Sequence, residues 1–350
     1  MRRIAILGGG SWGTALAIVL SRTHKAHEIS LWVRDAALAE SLERDRENKV
    51  YLPGYKLPES VKITHDPAAA LHNAAIVIGA IPAVHARGVY RRVLPHLVRG
   101  TALVSATKGL EPATHARMSE VIGEVLADIM SDVMAEGTSK DHRPDLPPRI
   151  AVLSGPSFAA EAAAGQPTAV VLASRDSALA NELQEDFSSP TFRLYTNDDV
   201  LGVELAGSMK NVIAIAAGVC QGLGLGSNPL AALITRGLAE MARLCAALGA
   251  RPETLSGLAG LGDLVLTCTG SLSRNRHVGI ELGKGRRLDD ILEGMRMVAE
   301  GVGTAGALLA LARETGVELP ITEQVEAILH HGKPPRDAIR SIMERPLKRE

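Results

Sequence analysis

The stretch that decides the fold is residues 3–17, Arg-Ile-Ala-Ile-Leu-Gly-Gly-Gly-Ser-Trp-Gly-Thr-Ala-Leu-Ala. A short apolar run, typical of a buried strand, meets glycines and continues into a helical pattern. The glycines have the spacing G-x-G-x-x-G, in which Gly8 permits a tight turn, Gly10 lets a pyrophosphate approach and Gly13 allows close helix–strand packing. Because the helix N-terminus adds amides and a partial positive charge, this context predicts a dinucleotide site rather than a ligand-free turn.

The end of the second strand candidate, residues 28–33, bears on which dinucleotide would bind. The chain there reads Val33-Arg34-Asp35. An arginine suits stacking on adenine or pairing with a 2′-phosphate, which favours NADP(H), whereas an acid next to it keeps NAD(H) open. The sequence leaves the preference between the two cofactors undecided.

The chain divides into an alternating half and a helical half. Continuous apolar runs separated by helical patterns indicate an α/β domain with a parallel sheet covered on both faces, and right-handed crossovers make it a doubly wound, Rossmann-type sheet. We expect a dinucleotide-binding domain at residues 1–194 and an all-helical substrate-binding and catalytic domain at 195–350. The polar, proline-rich residues 131–149 predict a loop insertion on the surface. The predicted strands are 3–7, 28–33, 75–80, 102–106, 150–154 and 168–173, and the long helices are 199–222, 229–248 and 299–313.

Composition excludes several classes of function. The 350 residues are enough for about two domains. With 38 Lys and Arg against 39 Asp and Glu, the formal charge is −1, and the chain lacks the basic excess of a nucleic-acid-binding protein. The small aromatic content (Phe 3, Tyr 4, Trp 2) provides few stacking platforms for bases. We therefore expect no nucleic-acid partner and a small anion held in a local pocket.

Signals for export, membranes and metals are weak. The charged and apolar start imitates a secretory signal, but glycines interrupt it from Gly8 onward. The sequence contains no stretch of about 18 uninterrupted apolar residues, so membrane insertion is not predicted. The number of cysteines is odd, and their positions, Cys220, Cys245 and Cys268, lack the spacing of metal ligands. The spacing of the histidines does not suggest a metal site either. These features predict a cytoplasmic protein that needs no metal.

Further blocks of sequence follow the glycine turn in order, up to about residue 305. With the glycine turn included, the blocks are Gly8–Ala17, Asn48 with Tyr51-Leu52-Pro53-Gly54, Ser105–Glu111, Leu153–Glu161, Glu204–Asn211, Gly257–Leu264, Ser271–Asn275 and Val298–Gly301. Together they resemble the bacterial NAD(P)-dependent sn-glycerol-3-phosphate dehydrogenases over nearly the whole chain. Residues 131–149 depart from this family's usual shorter connection.

The resemblance gives roles to residues that would otherwise be ordinary. Lys210 lies in an apolar helix, where a lysine can simply extend its amine to solvent, or can act as an acid–base group when desolvated. By resemblance Lys210 is the general acid/base, and Asp263 bonds the substrate alcohol or orients Lys210. Without the resemblance, Ser157 and Asp263 would be helix caps and residues 273–275 a polar turn; with it, that turn holds the substrate phosphate. The implied substrate-binding residues are Lys108, Gly155, Ser157, Lys210, Asp263, Ser273, Arg274 and Asn275.

The same resemblance implies contacts with the dinucleotide along both halves of the chain. Some of these residues belong to the glycine turn, and others would contact the adenosine or the nicotinamide end. The implied cofactor-binding residues are Gly8, Gly10, Ser11, Trp12, Gly13, Arg34, Tyr51, Lys108, Ala159, Arg274, Val298 and Glu300.

The expected function is reduction of dihydroxyacetone phosphate to sn-glycerol 3-phosphate with NAD(H) or NADP(H), supplying glycerophospholipid synthesis. One alternative is a related dehydrogenase of a 2-hydroxy acid or of ketopantoate, which would not explain the phosphate block at residues 273–275. Another is a non-catalytic dinucleotide-sensing regulator, which would not need Lys210 and would want a basic DNA-binding helix. A homodimer through the alanine-rich helices is a further expectation, since an apolar helical face can pack on its twin.

Overall fold

The computed structural model describes residues 1–136, 148–347 and 349. The chain forms two compact units. The first unit contains Met1–Lys108 and Ala116–Val200, and the second contains Gly109–His115 and Leu201–Glu350. The sequence analysis placed the division at residues 194 and 195, and did not anticipate that the short segment Gly109–His115 belongs with the second unit.

The first unit is built on an eight-stranded sheet with the order β10-β9-β8-β7-β6-β1-β2-β5. A small antiparallel hairpin, β3–β4, lies outside this sheet. The strands are β1 Arg2–Leu7, β2 His27–Trp32, β3 Glu47–Asn48, β4 Leu52–Lys56, β5 Lys62–Thr64, β6 Ile76–Gly79, β7 Ala102–Ser105, β8 Ile150–Ser154, β9 Thr168–Ala173 and β10 Phe192–Asn197. The helices of this part are α1 Ser11–Leu20, α2 Ala36–Asp45, α3 Pro67–Leu71, α4 Ala83–Val93, α5 Met118–Glu136, α6 Ala159–Ala163 and α7 Ser177–Phe187.

The order of the strands creates a crevice at one point of the sheet. From β1 the chain proceeds outward through β2 to β5, and then returns to place β6 on the other side of β1. In doubly wound sheets, ligands bind beyond the carboxyl ends of the strands at such a reversal. The glycine turn follows β1 directly, so the topology puts it at this switch point.

The predicted strands are all present, and the expectation of a wholly parallel sheet is wrong at one pair. β8 and β9 are antiparallel, with Leu153 opposite Leu172. The connection between them contains only the five-residue helix α6, which is short for a parallel crossover, so the chain turns back on itself. β10 then pairs parallel with β9 through α7.

The predicted loop insertion at residues 131–149 is partly corrected. Helix α5 continues to Glu136, so residues 131–136 are helical. Residues 137–147 of the predicted loop lie outside the described residues. Helical continuation follows from the sequence, because residues 131–136 lack the proline and glycine that end helices.

In its described residues the second unit has helices and no strands. The longest, α8, is largely buried in the core of this unit. Its helices are α8 Val200–Gly222, α9 Ser227–Ala247, α10 Pro252–Ser256, α11 Asp263–Thr269, α12 Arg274–Gly283, α13 Leu288–Glu293, α14 Glu300–Thr315, α15 Pro320–His330 and α16 Pro335–Met343.

Helix α8 is also the one described helix whose length and composition would allow it to cross a membrane. Of its most apolar window, 89% is buried inside the fold. Such burial is the usual state of a core helix in a protein with a large apolar interior.

Candidate active site

The glycine turn after β1 has a backbone that larger residues cannot adopt. Gly8 has φ +121°, and a Cβ on it would lie 2.5 Å from the carbonyl oxygen of Ala80. A Cβ on Gly13 would lie 1.9 Å from the carbonyl oxygen of Gly8. A Cβ on Gly10, in contrast, would meet nothing within 4 Å. The turn is thus closed against the sheet and open toward its outer side, which fits a pyrophosphate at the start of α1.

The first turn of α1 provides the donors for such a ligand. Ser11 and Trp12 follow Gly10, which has no side chain with which to cap the helix. The indole Nε1 of Trp12 is buried and lacks a hydrogen-bond partner among the described residues. A buried donor of this kind is costly unless something accepts from it, so Trp12 fits the predicted cofactor side of the turn.

Beyond β2, Asp35 has a hydrogen-bonding role in the fold, whereas Arg34 is an exposed side chain. Asp35 caps α2, and its carboxylate accepts a hydrogen bond from the amide of Leu38 at 2.8 Å. Arg34 is exposed. The acid that kept NAD(H) open in the sequence therefore has a structural role in addition to any ligand contact.

Three predicted substrate residues of the first unit lie together. Lys108, just after β7, donates from Nζ to the carbonyl of Gly155 at 2.6 Å and to Oγ of Ser157 at 3.2 Å. Gly155 has φ +120°, and the Ser157 hydroxyl donates to its carbonyl at 2.9 Å. Without the resemblance, the sequence suggested that Ser157 caps the next helix. It does not, because the cap position of α6 is Phe158. Ala159 begins α6 and is half-buried.

In the second unit, Lys210 is buried beside a carboxylate and a hydroxyl. Lys210 lies on α8 and is 6% exposed. Its Nζ donates to Oδ1 of Asp263 at 2.8 Å and to Oγ1 of Thr267 at 2.7 Å. Asp263 is 1% exposed. The Thr267 hydroxyl donates to the carbonyl of Asp263 at 2.6 Å, so its lone pairs face Lys210. A buried amine held by a carboxylate and a hydroxyl can give up or take a proton at a defined position.

Local structure explains how Asp263 reaches Lys210. A π-helical turn, Leu258–Gly262, precedes α11. In that turn a Cβ on Gly260 would lie 2.1 Å from the carbonyl oxygen of Leu255, so only glycine fits. Thr267 stands four residues after Asp263 on the same helix face. The sequence analysis missed Thr267, although this spacing was a signal that could have identified it.

The neighbouring thiol of Cys268 does not compete for this proton chemistry. Burial raises the pKa of Cys268 to about 12, and the charge of Lys210 offsets this only partly. The thiol therefore stays neutral at physiological pH.

The predicted phosphate block begins α12. Ser273 caps this helix, since its Oγ accepts from the amide of Arg276 at 3.2 Å. Asn275 is buried, donates from Nδ2 to Oδ1 of Asn211 at 2.9 Å and accepts from the amide of Gly301 at 2.9 Å. Asn275 thus joins α8, α12 and α14, and Asn211 is a second residue that the sequence analysis missed.

Arg274 is the exposed member of this block. Desolvation of its guanidinium by neighbouring groups lowers the pKa of Arg274, and the charge of Glu300 opposes that shift. Glu300 begins α14 and is half-buried, and Val298 just before it is exposed. Arg274 is thus near Glu300, which is one of the two predicted cofactor contacts at positions 298 and 300.

Two helices of the second unit cross with their backbones in contact. A Cβ on Gly218 of α8 would lie 2.0 Å from the carbonyl oxygen of Arg276, and one on Gly279 of α12 would lie 2.0 Å from that of Ile215. Because only glycine permits this approach, the crossing fixes the spacing between Lys210 on α8 and Arg274 on α12.

Among the described residues, no group of three or more His, Cys, Asp or Glu could hold a metal ion. A doubly wound sheet with a glycine turn at its switch point, in one chain with a helical unit that buries a paired lysine, defines a dinucleotide-dependent oxidoreductase.

Comparison with known proteins identifies the family within this class. Residues 3–180 match the model described as NAD-dependent glycerol-3-phosphate dehydrogenase N-terminus, and residues 199–340 match that of the C-terminus. The chain belongs to the NAD-dependent glycerol-3-phosphate dehydrogenase family.

Individual relatives agree over their full lengths. A protein of Acidobacterium capsulatum named glycerol-3-phosphate dehydrogenase (NAD(P)+) is 54% identical, with 99% of each chain covered. One of Koribacter versatilis with the same name is 52% identical, covering 99% of this chain and 98% of the relative. The crystal structure of glycerol-3-phosphate dehydrogenase from Coxiella burnetii has a TM-score of 0.87 at 40% identity, covering 98% of this chain and 99% of that one. The match over both halves disfavours the hydroxy-acid or ketopantoate dehydrogenase alternative.

Proposed function

We propose that this protein reduces dihydroxyacetone phosphate to sn-glycerol 3-phosphate, reversibly, with NADH or NADPH. The single observation that carries the proposal is the buried cluster of Lys210, Asp263 and Thr267 in the helical unit. A dinucleotide-binding fold alone suits many functions, whereas a desolvated amine with two fixed partners suits proton transfer to one oxygen. A regulator without catalysis would have no use for that cluster.

Reduction of a ketone needs a hydride at carbon and a proton at oxygen. The reduced nicotinamide supplies the hydride when it is bound. Lys210 holds the proton on Nζ and gives it to the forming alkoxide; in the reverse direction it takes the proton from the alcohol. Asp263 and Thr267 fix the position of Nζ through bonds of 2.8 and 2.7 Å, and Asp263 compensates the charge of the buried ammonium.

The substrate's phosphate would be held at the start of α12. A guanidinium can pair with phosphate oxygens in bidentate fashion, and Arg274 is the exposed cation there. Helix N-termini also favour anions. Lys108, Gly155 and Ser157 form a polar cluster in the first unit, and they are further proposed substrate contacts. In the second unit, Ser273 and Asn275 would maintain the shape of the phosphate site.

The dinucleotide would be held by the glycine turn, Ser11 and Trp12, and by Arg34 and Tyr51 at the adenosine end. Ala159, Val298 and Glu300 complete the proposed cofactor contacts. Because the carboxylate of Asp35 already accepts the Leu38 amide, Arg34 is the more available group, which supports NADPH over NADH.

The product would supply the backbone of glycerophospholipids. A cytoplasmic location is part of the proposal, supported by three free, buried cysteines that suit a reducing compartment. A homodimer through the alanine-rich helices is also proposed, and light scattering of the purified protein tests it.

The direct test of the substrate compares three ketones. Loss of NADPH or NADH absorbance is followed with dihydroxyacetone phosphate, with unphosphorylated dihydroxyacetone and with ketopantoate, for wild type and Arg274→Ala. We expect rapid oxidation with the phosphorylated ketone alone, and a selective rise of its KM in Arg274→Ala. Dinucleotide binding without turnover of any ketone would overturn the proposal and favour a regulator.

A further inference from the structure

Asn48 is a fully buried side chain that joins three parts of the first unit. Its Nδ2 donates to the carbonyl of Gly9 at 2.9 Å and to Oγ1 of Thr14 at 2.8 Å. Its Oδ1 accepts from the amide of Tyr51 at 3.0 Å. One amide group thus connects the glycine turn, the first turns of α1 and the loop between β3 and β4.

The bond to Gly9 fixes the orientation of one peptide group in the glycine turn. In a trans peptide, the carbonyl of one residue and the N–H of the next point in opposite directions. Because the Gly9 carbonyl points at Asn48, the N–H of Gly10 points away from it. Gly10 also borders open space, since a Cβ there would meet nothing within 4 Å. The peptide therefore presents a donor on the side of the turn from which an anion can approach.

Few other restraints can set this peptide, because glycines on both sides of it have wide conformational freedom. A side chain at position 48 must donate to a carbonyl and a hydroxyl and also accept from an amide. Asparagine has both a carbonyl oxygen and an NH₂ group. Aspartate could accept from Tyr51 but would turn a second oxygen toward the Gly9 carbonyl, and alanine would replace none of the contacts.

We propose that Asn48 is a positioning residue for the dinucleotide. It keeps the Gly10 N–H aimed at the pyrophosphate and fixes the backbone at Tyr51, which is itself a proposed cofactor contact. The inference rests on the proposed function only in taking the anion at the turn to be a dinucleotide pyrophosphate.

The test compares Asn48→Asp and Asn48→Ala with a matched control, Thr101→Val. Thr101 is also buried in the first unit, where its hydroxyl donates to the carbonyls of Ala74 and Val98, away from the glycine turn. The NADPH dissociation constant is measured by quenching of tryptophan fluorescence, and KM and kcat are measured with dihydroxyacetone phosphate. We expect the dissociation constant and the KM for NADPH to rise about tenfold in both Asn48 variants. The KM for dihydroxyacetone phosphate and the kcat at saturating NADPH should stay close to wild type.

Thr101→Val should lose stability without a change in NADPH affinity. Unchanged NADPH affinity in a folded Asn48 variant would overturn the proposal, as would a lower kcat with constant KM, which indicates loss of folded enzyme only. If Asn48→Asp does not fold, Asn48→Ala gives the same readout without an added charge. The fluorescence titration requires no turnover, so it remains decisive even if wild type fails to reduce dihydroxyacetone phosphate, an outcome that would refute the proposed function alone.

Discussion

Glu240 is a buried carboxylate whose replacement should change how stability depends on pH. It lies on α9, is 2% exposed, and accepts hydrogen bonds from the amide of Ile321 and, at 3.3 and 3.2 Å, from the amide and hydroxyl of Thr322. Helix α15 begins with Pro320 after an apolar residue, Leu319, that cannot cap it. Glu240 therefore caps α15 from a neighbouring helix.

The magnitude follows from the pKa of this group. Burial raises the pKa of Glu240 from 4.5 to about 7, although its hydrogen bonds and the charge of Arg243 oppose the shift. The folded state therefore binds this proton more tightly than the unfolded chain. The resulting contribution to stability is complete below the unfolded pKa and is lost as the pH rises through the folded pKa. Between about pH 5 and about pH 8 the loss amounts to on the order of 2–3 kcal/mol of unfolding free energy.

The assay is urea unfolding, followed by far-UV circular dichroism at both pH values, of wild type and Glu240→Gln. Glutamine keeps a carbonyl acceptor but does not titrate, and all other groups are the same in the two proteins. We expect wild type to lose on the order of 2–3 kcal/mol more than the variant between the two pH values. The exposed control Glu314→Gln should behave like wild type. Equal pH dependence of wild type and Glu240→Gln would refute the reasoning.

Three further predictions concern the candidate site. Gly13→Ala places a methyl group 1.9 Å from the Gly8 carbonyl oxygen, so the dinucleotide dissociation constant should rise at least about tenfold. Gly88→Ala, at an exposed position of α4 where a Cβ meets nothing within 4 Å, should leave the constant unchanged. Wild-type affinity in Gly13→Ala would contradict the close packing. Gly279→Ala places a methyl group 2.0 Å from the Ile215 carbonyl oxygen, so it should push α8 and α12 apart. The KM for dihydroxyacetone phosphate should then rise more than the KM for NADPH. Steady-state kinetics in which both KM values change equally would argue that the crossing does not set the spacing of the site. Thr267→Val should lower kcat about tenfold, because Nζ of Lys210 loses a partner, while Thr267→Ser should restore it; a full-rate Thr267→Val enzyme would remove Thr267 from the mechanism.

The main strands and the glycine turn could be predicted because their signals are local. Apolar runs such as residues 150–154 are buried on both faces of the sheet, which makes them continuous in sequence. The short strands had no such signal: β4 contains Pro53 and Gly54, residues that are unusual in strands. β10 lies at the sheet edge with alternate residues exposed, and the direction of β9 depended on the length of a connection rather than on composition.

The site was predicted in part for the same reason. Lys210 and Asp263 could be named from the resemblance, but their 2.8 Å contact depends on tertiary structure between helices far apart in the chain. Asn211 and Asn48 had no visible role in the sequence, because a buried amide acquires meaning only from the groups that surround it. Asp35 illustrates the opposite case, since its capping of α2 is a local pattern that could have been predicted from the sequence, where Asp35 was considered only for the choice of dinucleotide.

The central claim is that Lys210 transfers the proton, and the variant Lys210→Arg tests it most directly. Arginine keeps the positive charge beside Asp263, so the buried ion pair and the fold should survive, but a guanidinium is a far weaker acid than an ammonium and does not exchange its proton near neutral pH, so it serves poorly as a general acid/base. With NADPH and dihydroxyacetone phosphate, we expect kcat to fall at least about a hundredfold. NADPH affinity should be unchanged, and Lys284→Arg, an exposed control paired with Glu281, should retain full activity. Wild-type kcat in a folded Lys210→Arg enzyme would contradict the mechanism.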